Sequence, residues 1–89
     1  AAAKGALHAA TKALALEVAS RGVTVNAGAP GIIDTGMIEG VFDAESIKRL
    51  VPMQRAGKPE EVAELVGFLA SDAAAYISGQ VISINGAMV

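Results

Sequence analysis

Few side chains in this chain can do chemistry, and their spacing narrows what that chemistry is. Lys4 and His8 are four residues apart, so on a helix they share a face. Lys12 continues that face. A second group is Pro30-Gly31 with Asp34 and Thr35 close behind, and taken alone that dipeptide reads as an ordinary Pro-Gly turn. Asp34 and Glu39 could be posed as a glycosidase pair, but both lie in one flexible loop with no scaffold to hold their separation. His8 alone reads as a solvated or structurally bonded helix residue, and Glu60, Glu61 and Glu64 read as a solvated helix face. Tyr76 is the single tyrosine and has no lysine four residues on, so it is expected to pack its ring near the last strand with its hydroxyl bonded. With no cysteine and one histidine, no disulfide and no metal site are expected.

Composition adds exclusions. The 89 residues are 53% hydrophobic and 18% charged with a net charge of −2, and no basic run marks a nucleic acid or an anionic membrane as partner. No apolar stretch approaches the roughly 18 residues of a membrane helix, and no basic, then apolar leader opens the chain. A chain this short buries only about 60% of its unfolded surface, yet its apolar content exceeds the ~45–50% usual for globular chains. It has more interior than its own size can use. It also opens on Ala1-Ala2-Ala3-Lys4, already inside a helical pattern and without a cap. The expectation is a piece of a larger α/β protein.

The elements that must position the reactive residues follow from periodicity. Residues 1–20 form a helix, with Ala3, Leu7, Ala10, Leu14 and Val18 as its apolar stripe and Arg21-Gly22 as its stop. Residues 23–27 are β-branched and short, a buried strand ended by Gly28-Ala29-Pro30-Gly31. A long loop runs to about Gly40, and Asp43 caps a short helix through Leu50 whose apolar side is Ile47, Leu50 and Val51. Pro59, Glu60 and Glu61 open the clearest helix, with Val62, Leu65, Val66 and Leu69 as its buried stripe. A second strand spans about residues 80–84, closed by Asn85-Gly86. Short strands separated by helical crossovers imply a parallel α/β sheet. Two such strands need neighbours on each side and do not make a domain.

The succession Ala1-Ala2-Ala3-Lys4-Gly5-Ala6-Leu7, Val23-Thr24-Val25-Asn26, Ala29-Pro30-Gly31-Ile32-Ile33-Asp34-Thr35 and Gly57-Lys58-Pro59-Glu60-Glu61-Val62-Ala63 resembles the short-chain dehydrogenase/reductase family. Phe68-Leu69-Ala70-Ser71-Asp72, Tyr76-Ile77-Ser78-Gly79 and Asn85-Gly86 extend the likeness nearly to the end. Within the family the chain looks most similar to bacterial 3-oxoacyl-[acyl-carrier-protein] reductases. The resemblance implies an α/β fold, the C-terminal part of a Rossmann-like doubly wound parallel sheet, with two strands and two to three helices in residues 1–89 and no internal boundary.

It also implies roles. In that family a tyrosine stands four residues before a lysine on one helix, and if Lys4 is that lysine, the tyrosine is the residue before Ala1. The ammonium then sits beside the phenol, lowers its pKa so that it can protonate an alkoxide, and holds cofactor ribose hydroxyls. Pro30 and Gly31 shape the wall of the nicotinamide pocket at the carboxyl end of a strand, where open α/β sheets bind ligands. Ile33, through its backbone, and Thr35, through hydroxyl and backbone, bind the carboxamide. Met37 and Ile38 belong to a lid over substrate, with Gly36 and Gly40 as its flexible points.

Two departures stand out. Gly28 replaces the larger residue common before Ala-Pro-Gly and is expected to loosen strand packing, and Ala87 stands where a second glycine commonly follows Asn-Gly. The resemblance thus implies an NAD(P)-dependent oxidoreductase, NADP(H) favoured over NAD(H), reducing a 3-oxoacyl thioester to its 3-hydroxyacyl form in cytoplasmic fatty acid synthesis. Its partners would be a small-molecule or carrier-bound acyl substrate and sister subunits in a dimer or tetramer. The 89 residues alone are expected to be inactive, lacking the Gly-rich pyrophosphate turn and the family's catalytic serine and tyrosine. The rival expectation is a non-catalytic segment whose role is structural, pairing its long helix and last strand with sister chains.

Overall fold

The computed structural model describes residues 2–36 and 42–88, Ala2 by its backbone only. Helix α1 spans Ala2–Val18 and tightens into a 3-10 turn at Ala19–Arg21. Gly22, at φ 73°, donates its N–H to the Ala19 carbonyl and ends it, as the Arg-Gly stop predicts. Strand β1 (Ala27–Pro30), helix α2 (Ala44–Leu50), helix α3 (Pro59–Leu69) and strand β2 (Val81–Ile84) follow. The strands pair in parallel, Ala27 with Val81 through Pro30 with Ile84, so the α/β class and the parallel sheet are as expected. Among the described residues, no helix is long and apolar enough to cross a membrane.

The helix starts are local chemistry. Asp43 sits in extended backbone, and its carboxylate accepts from the Ser46 N–H at 2.7 Å, supplying the cap that α2 needs. Pro59 occupies the first turn of α3, where its missing N–H costs nothing.

The first strand differs from expectation. Ladder pairing begins at Ala27, four residues later than the pattern suggests, after Gly79, at φ 76°, has turned the facing segment. It runs through Gly28, Ala29 and Pro30, the residues expected to end the strand, and it alternates half-buried and exposed positions where a buried strand was expected. Before Ala27 one backbone bond, from the Gly79 N–H to the Val25 carbonyl at 2.7 Å, is joined by side chains. Asn26 Oδ1 accepts from the Gln80 N–H and its Nδ2 donates to the Ile77 carbonyl, while the Val25 N–H donates to Ser78 Oγ.

The buried side of α1 also differs. Thr11 and Ala15 are buried, whereas Leu7 and Leu14 of the expected stripe are exposed. At 100° per residue this rotates the packed line by about 80°, onto the side that carries Lys4 and His8. The reason is close approach: Ala15 Cβ lies 3.5 Å from where a Cβ on Gly79 would be, and small residues let the helix settle against the end of the sheet. On α3, Val62, Leu65 and Leu69 are partly buried but Val66 is exposed. Beside α2, Val51 is buried, Ile47 is half-buried and Leu50 is exposed. Tyr76 does not pack its ring against any described residue, contrary to expectation: it is 103% exposed.

The result is a thin core. Only Ala15, Val51 and Ala74 are buried apolar residues among those described. The accessible surface is 6269 Å², against roughly 4,800 Å² for a compact protein of this mass. The radius of gyration is 15.2 Å, where about 12 Å is usual. The surplus apolar content lies on the outside, on faces such as Leu7, Leu14 and Leu16 of α1.

Candidate functional site at the carboxyl ends of the strands

Pro30 ends β1 at a position that suits it. Gly31 donates its N–H to the Ile84 carbonyl at 2.9 Å, so the backbone of the preceding residue faces away from β2, where a missing donor breaks no ladder bond. Gly31 is there for closeness: a Cβ on it would lie 2.8 Å from Asn85 Cβ and 3.0 Å from Asn85 Cα. Asn85 is itself locked, its Oδ1 accepting from the Ala87 N–H and its Nδ2 donating to the Met88 carbonyl. The turn after β2 therefore forms the floor on which the loop after β1 rests.

Beyond Gly31 that loop gains a second anchor. Ile33 and Gly57 form an isolated parallel bridge, in which Gly57 donates to the Ile32 carbonyl at 2.9 Å and Asp34 donates to the Gly57 carbonyl at 2.8 Å. Those two bonds are made by the residues on either side of Ile33. In extended backbone, successive residues direct their N–H and C=O to opposite sides, so Ile33 turns both of its polar groups away from Gly57. Among the described residues, neither group has a hydrogen-bond partner. One donor and one acceptor are thus held side by side on a braced strand-like segment. Asp34 then turns the chain, its Oδ1 accepting from the Gly36 N–H, and Thr35 is exposed beside it.

Gly57 is held by groups that sequence reasoning read as solvent-facing. Arg55 Nη1 and Nη2 donate to Glu61 Oε1 and Oε2 at 2.7 and 3.0 Å, a two-pronged pair. Arg55 Nη1 also donates to the Ala56 carbonyl, and the Lys58 N–H donates to Glu61 Oε1. The Arg55 guanidinium and the Lys58 N–H hold the Glu61 carboxyl down at about 2, and the pairing raises Arg55 in turn. Glu61 is therefore a clasp as well as a residue of a solvent-facing side. A glutamate at the third position of a Pro-initiated helix was the available signal, since that position reaches back to the helix-start N–H. A crevice of about 310 Å³ lies against this arrangement, lined by Ile32, Met53, Arg55, Gly57, Glu61 and Asn85, among others.

The structure thus brings Pro30, Gly31, Ile33 and Thr35 together in one loop, held from below by Asn85 and from the side by Gly57. Lys4 stands apart on α1, exposed, with no hydrogen bond or ion pair to that loop among the described residues. It continues, through His8, the helix side that Thr11 and Ala15 bury. Met37 and Ile38, expected in a lid, and Glu39, posed as a carboxylate partner of Asp34, lie outside the described residues. Among the described residues none lies within 4 Å of where a Cβ on Gly28 would be, and Gly28 borders a groove between β1 and α3. Ala87 takes up φ 71°, the left-handed conformation that glycine adopts without strain.

Comparison with known proteins bears on this geometry. Residues 1–88 match the family model described as "Enoyl-(Acyl carrier protein) reductase". The chain is 51% identical to 3-oxoacyl-[acyl-carrier-protein] reductase of Pseudomonas aeruginosa over 90 residues, covering 99% of this chain and 36% of that protein. It is 54% identical to the 3-oxoacyl-[acyl-carrier-protein] reductase of Synechocystis sp. over 89 residues, with the same two shares. A glucose and ribitol dehydrogenase homolog of rice is 48% identical over 89 residues, 97% of this chain and 30% of that protein. The chain spans about a third of the length of the curated relatives it matches.

Proposed function

The chain belongs to the short-chain dehydrogenase/reductase family, and from that premise we propose that the whole protein is an NADPH-dependent reductase of 3-oxoacyl thioesters on an acyl carrier. Residues 1–89 are, on this reading, the C-terminal segment of a single Rossmann-like domain, and they contribute the nicotinamide end of its cofactor site. The observation that carries the reading is Ile33, whose N–H and C=O are held side by side and turned away from Gly57. A carboxamide offers the complementary acceptor and donor, so these groups fit the nicotinamide amide and would fix which ring face meets substrate. The Thr35 hydroxyl is close enough in sequence to add a third bond. Pro30 and Gly31 form the wall behind the ring, at the carboxyl ends of the strands, as open α/β sheets favour.

When bound, the nicotinamide supplies the hydride. Lys4 holds ribose hydroxyls and lends its charge to the family's tyrosine, one helical turn earlier at the position before Ala1. That charge favours the phenolate, which makes the phenol a ready proton donor to the carbonyl oxygen. Met37 and Ile38 cover the acyl chain. Cytoplasmic location and assembly into a dimer or tetramer complete the proposal, the latter supported by the bare leucines of α1.

Those same leucines favour a second reading, in which the 89 residues by themselves serve only as a contact surface for sister chains. Assays of the full-length protein and of the 89-residue chain separate the two. The expected result is NADPH oxidation with a 3-oxoacyl thioester by the full-length protein alone, lowered on the order of 10²-fold or more by Lys4→Met. Turnover of glucose or ribitol in place of the thioester would move the substrate assignment toward the rice relative. No nucleotide binding by the full-length protein would leave only the structural role.

A further inference from the structure

We propose that Arg55 and Glu61 are positioning residues for the nicotinamide, acting through Gly57 and without touching the cofactor. The inference rests on the reading of Ile33 as the carboxamide-binding residue. Gly57 is the only described hydrogen-bonding partner that Ile32 and Asp34 share, and so it decides where Ile33 points. A glycine has no side chain by which to be held. The space beside it is taken by the tip of the Ile33 side chain, whose Cδ1 would lie 2.8 Å from a Cβ at this position.

Its position must come from its neighbours, and the Arg55–Glu61 pair ties down those neighbours. Ala56, before it, is bonded through its carbonyl to Arg55, and Lys58, after it, is bonded through its N–H to Glu61. The guanidinium and carboxylate then close on each other by two bonds. This leaves the N–H and C=O of Gly57 free to serve the loop alone. The Arg55 and Glu61 side chains are 52% and 40% exposed, and a pair that open contributes little to global stability. A two-pronged geometry with backbone bonds at both ends is better suited to fixing direction than to adding stability.

The test uses the full-length protein and two probes, NADPH and 2′-phospho-ADP-ribose, which is the same nucleotide without the nicotinamide. Glu61→Gln and Arg55→Gln keep the approximate size of the groups and break the charged fork, and Arg55→Lys keeps the charge but loses the fork. Each is expected to weaken NADPH binding about tenfold, the scale of one net hydrogen bond, and to leave 2′-phospho-ADP-ribose unchanged. The double variant Arg55→Gln/Glu61→Gln should lose no more than either single one, because both break one device. Hydride transfer from NADPH deuterated on one face of C4 should become less face-selective in the variants, a readout that a general loss of packing does not move. Equal weakening of both probes, or none of either, overturns the positioning role. A parent protein that binds NADPH no more tightly than 2′-phospho-ADP-ribose overturns the Ile33 reading itself, which the variants alone would not reveal.

Discussion

Gly28 lies within β1 and Gly31 directly after it, and their replacement by alanine should have opposite effects. At Gly31 the new Cβ meets Asn85 Cβ at 2.8 Å and Asn85 Cα at 3.0 Å, where ordinary contact begins near 3.4 Å. Asn85 cannot swing aside, because the obstacle includes its backbone and its side chain is bonded to both Ala87 and Met88. The strand ends must part, which stretches the 2.9 Å bond from Gly31 to Ile84. Overpacking of this kind costs about 1–3 kcal/mol, and a lost hydrogen bond adds about 0.5–1.5 kcal/mol, so Gly31→Ala should cost about 2–4 kcal/mol. At Gly28 no atom lies within 4 Å of the new Cβ, and the backbone is not left-handed. Gly28→Ala should therefore stabilise by about 0.4–1 kcal/mol, through the reduced freedom of the unfolded chain. In a protein of the relatives' length, each kcal/mol moves Tm by about 2–4 °C, so thermal unfolding of the full-length variants should separate them clearly. Equal losses at both positions, or a Gly31→Ala protein within about 0.5 kcal/mol of the parent, would refute the close-approach argument. NADPH binding gives a second check, since Gly31→Ala displaces the loop carrying Ile33 and Gly28→Ala does not.

Other outcomes follow from single features. Ala87→Gly relieves a left-handed alanine at φ 71° and should raise stability by about 0.5–1 kcal/mol in denaturant unfolding, net of glycine's greater unfolded-state freedom. Asp43→Ala removes the acceptor for the Ser46 N–H and should speed amide exchange in the first turn of α2, with α3 unaffected. The Glu61 carboxyl, held at about 2 against an ordinary 4.5, contributes stability that is complete above 4.5 and lost as pH falls toward 2. Asp43, also lowered from 3.8, acts in the same direction, and carboxyl NMR titration should show both midpoints depressed, with Arg55→Gln returning that of Glu61 toward 4.5. The 89-residue chain alone, with its thin core and bare leucines, should unfold without a sharp cooperative transition by calorimetry, and a steep two-state melt would contradict the surface accounting.

What could be read from the sequence were the features whose causes lie within a few residues of each other. Asp43 as a cap, Pro59 as a helix start, Gly22 as a stop and the helix–strand order all depend on local backbone chemistry, and all stand as read. The resemblance likewise rests on motifs in order along the chain, and residues 1–88 match the family model. The errors share the opposite property. The packed side of α1 turned toward Thr11 and Ala15, where Ala15 meets Gly79, more than sixty residues away. Strand β1 began late, after Asn26, whose side chain bonds to residues 77 and 80. Tyr76 stayed in solvent, with no described residue against its ring.

The site divides along the same line. That Pro30, Gly31, Ile33 and Thr35 could serve a ligand was implied by the resemblance and by their place after a strand's carboxyl end, since Pro30-Gly31 alone reads as an ordinary turn. That Ile33 would use its backbone was implied by the resemblance, but the side its N–H and C=O face was not legible, because it depends on the bridge to Gly57, more than twenty residues on. Sequence alone determined the residue types and local conformations, since those are set by sterics and bonding between near neighbours. Tertiary structure alone decided direction: which side of a helix is buried, which edge of a strand is free and which polar groups are left for a ligand. Each of these is settled by a partner distant in the chain, and no local preference encodes where that partner will stand.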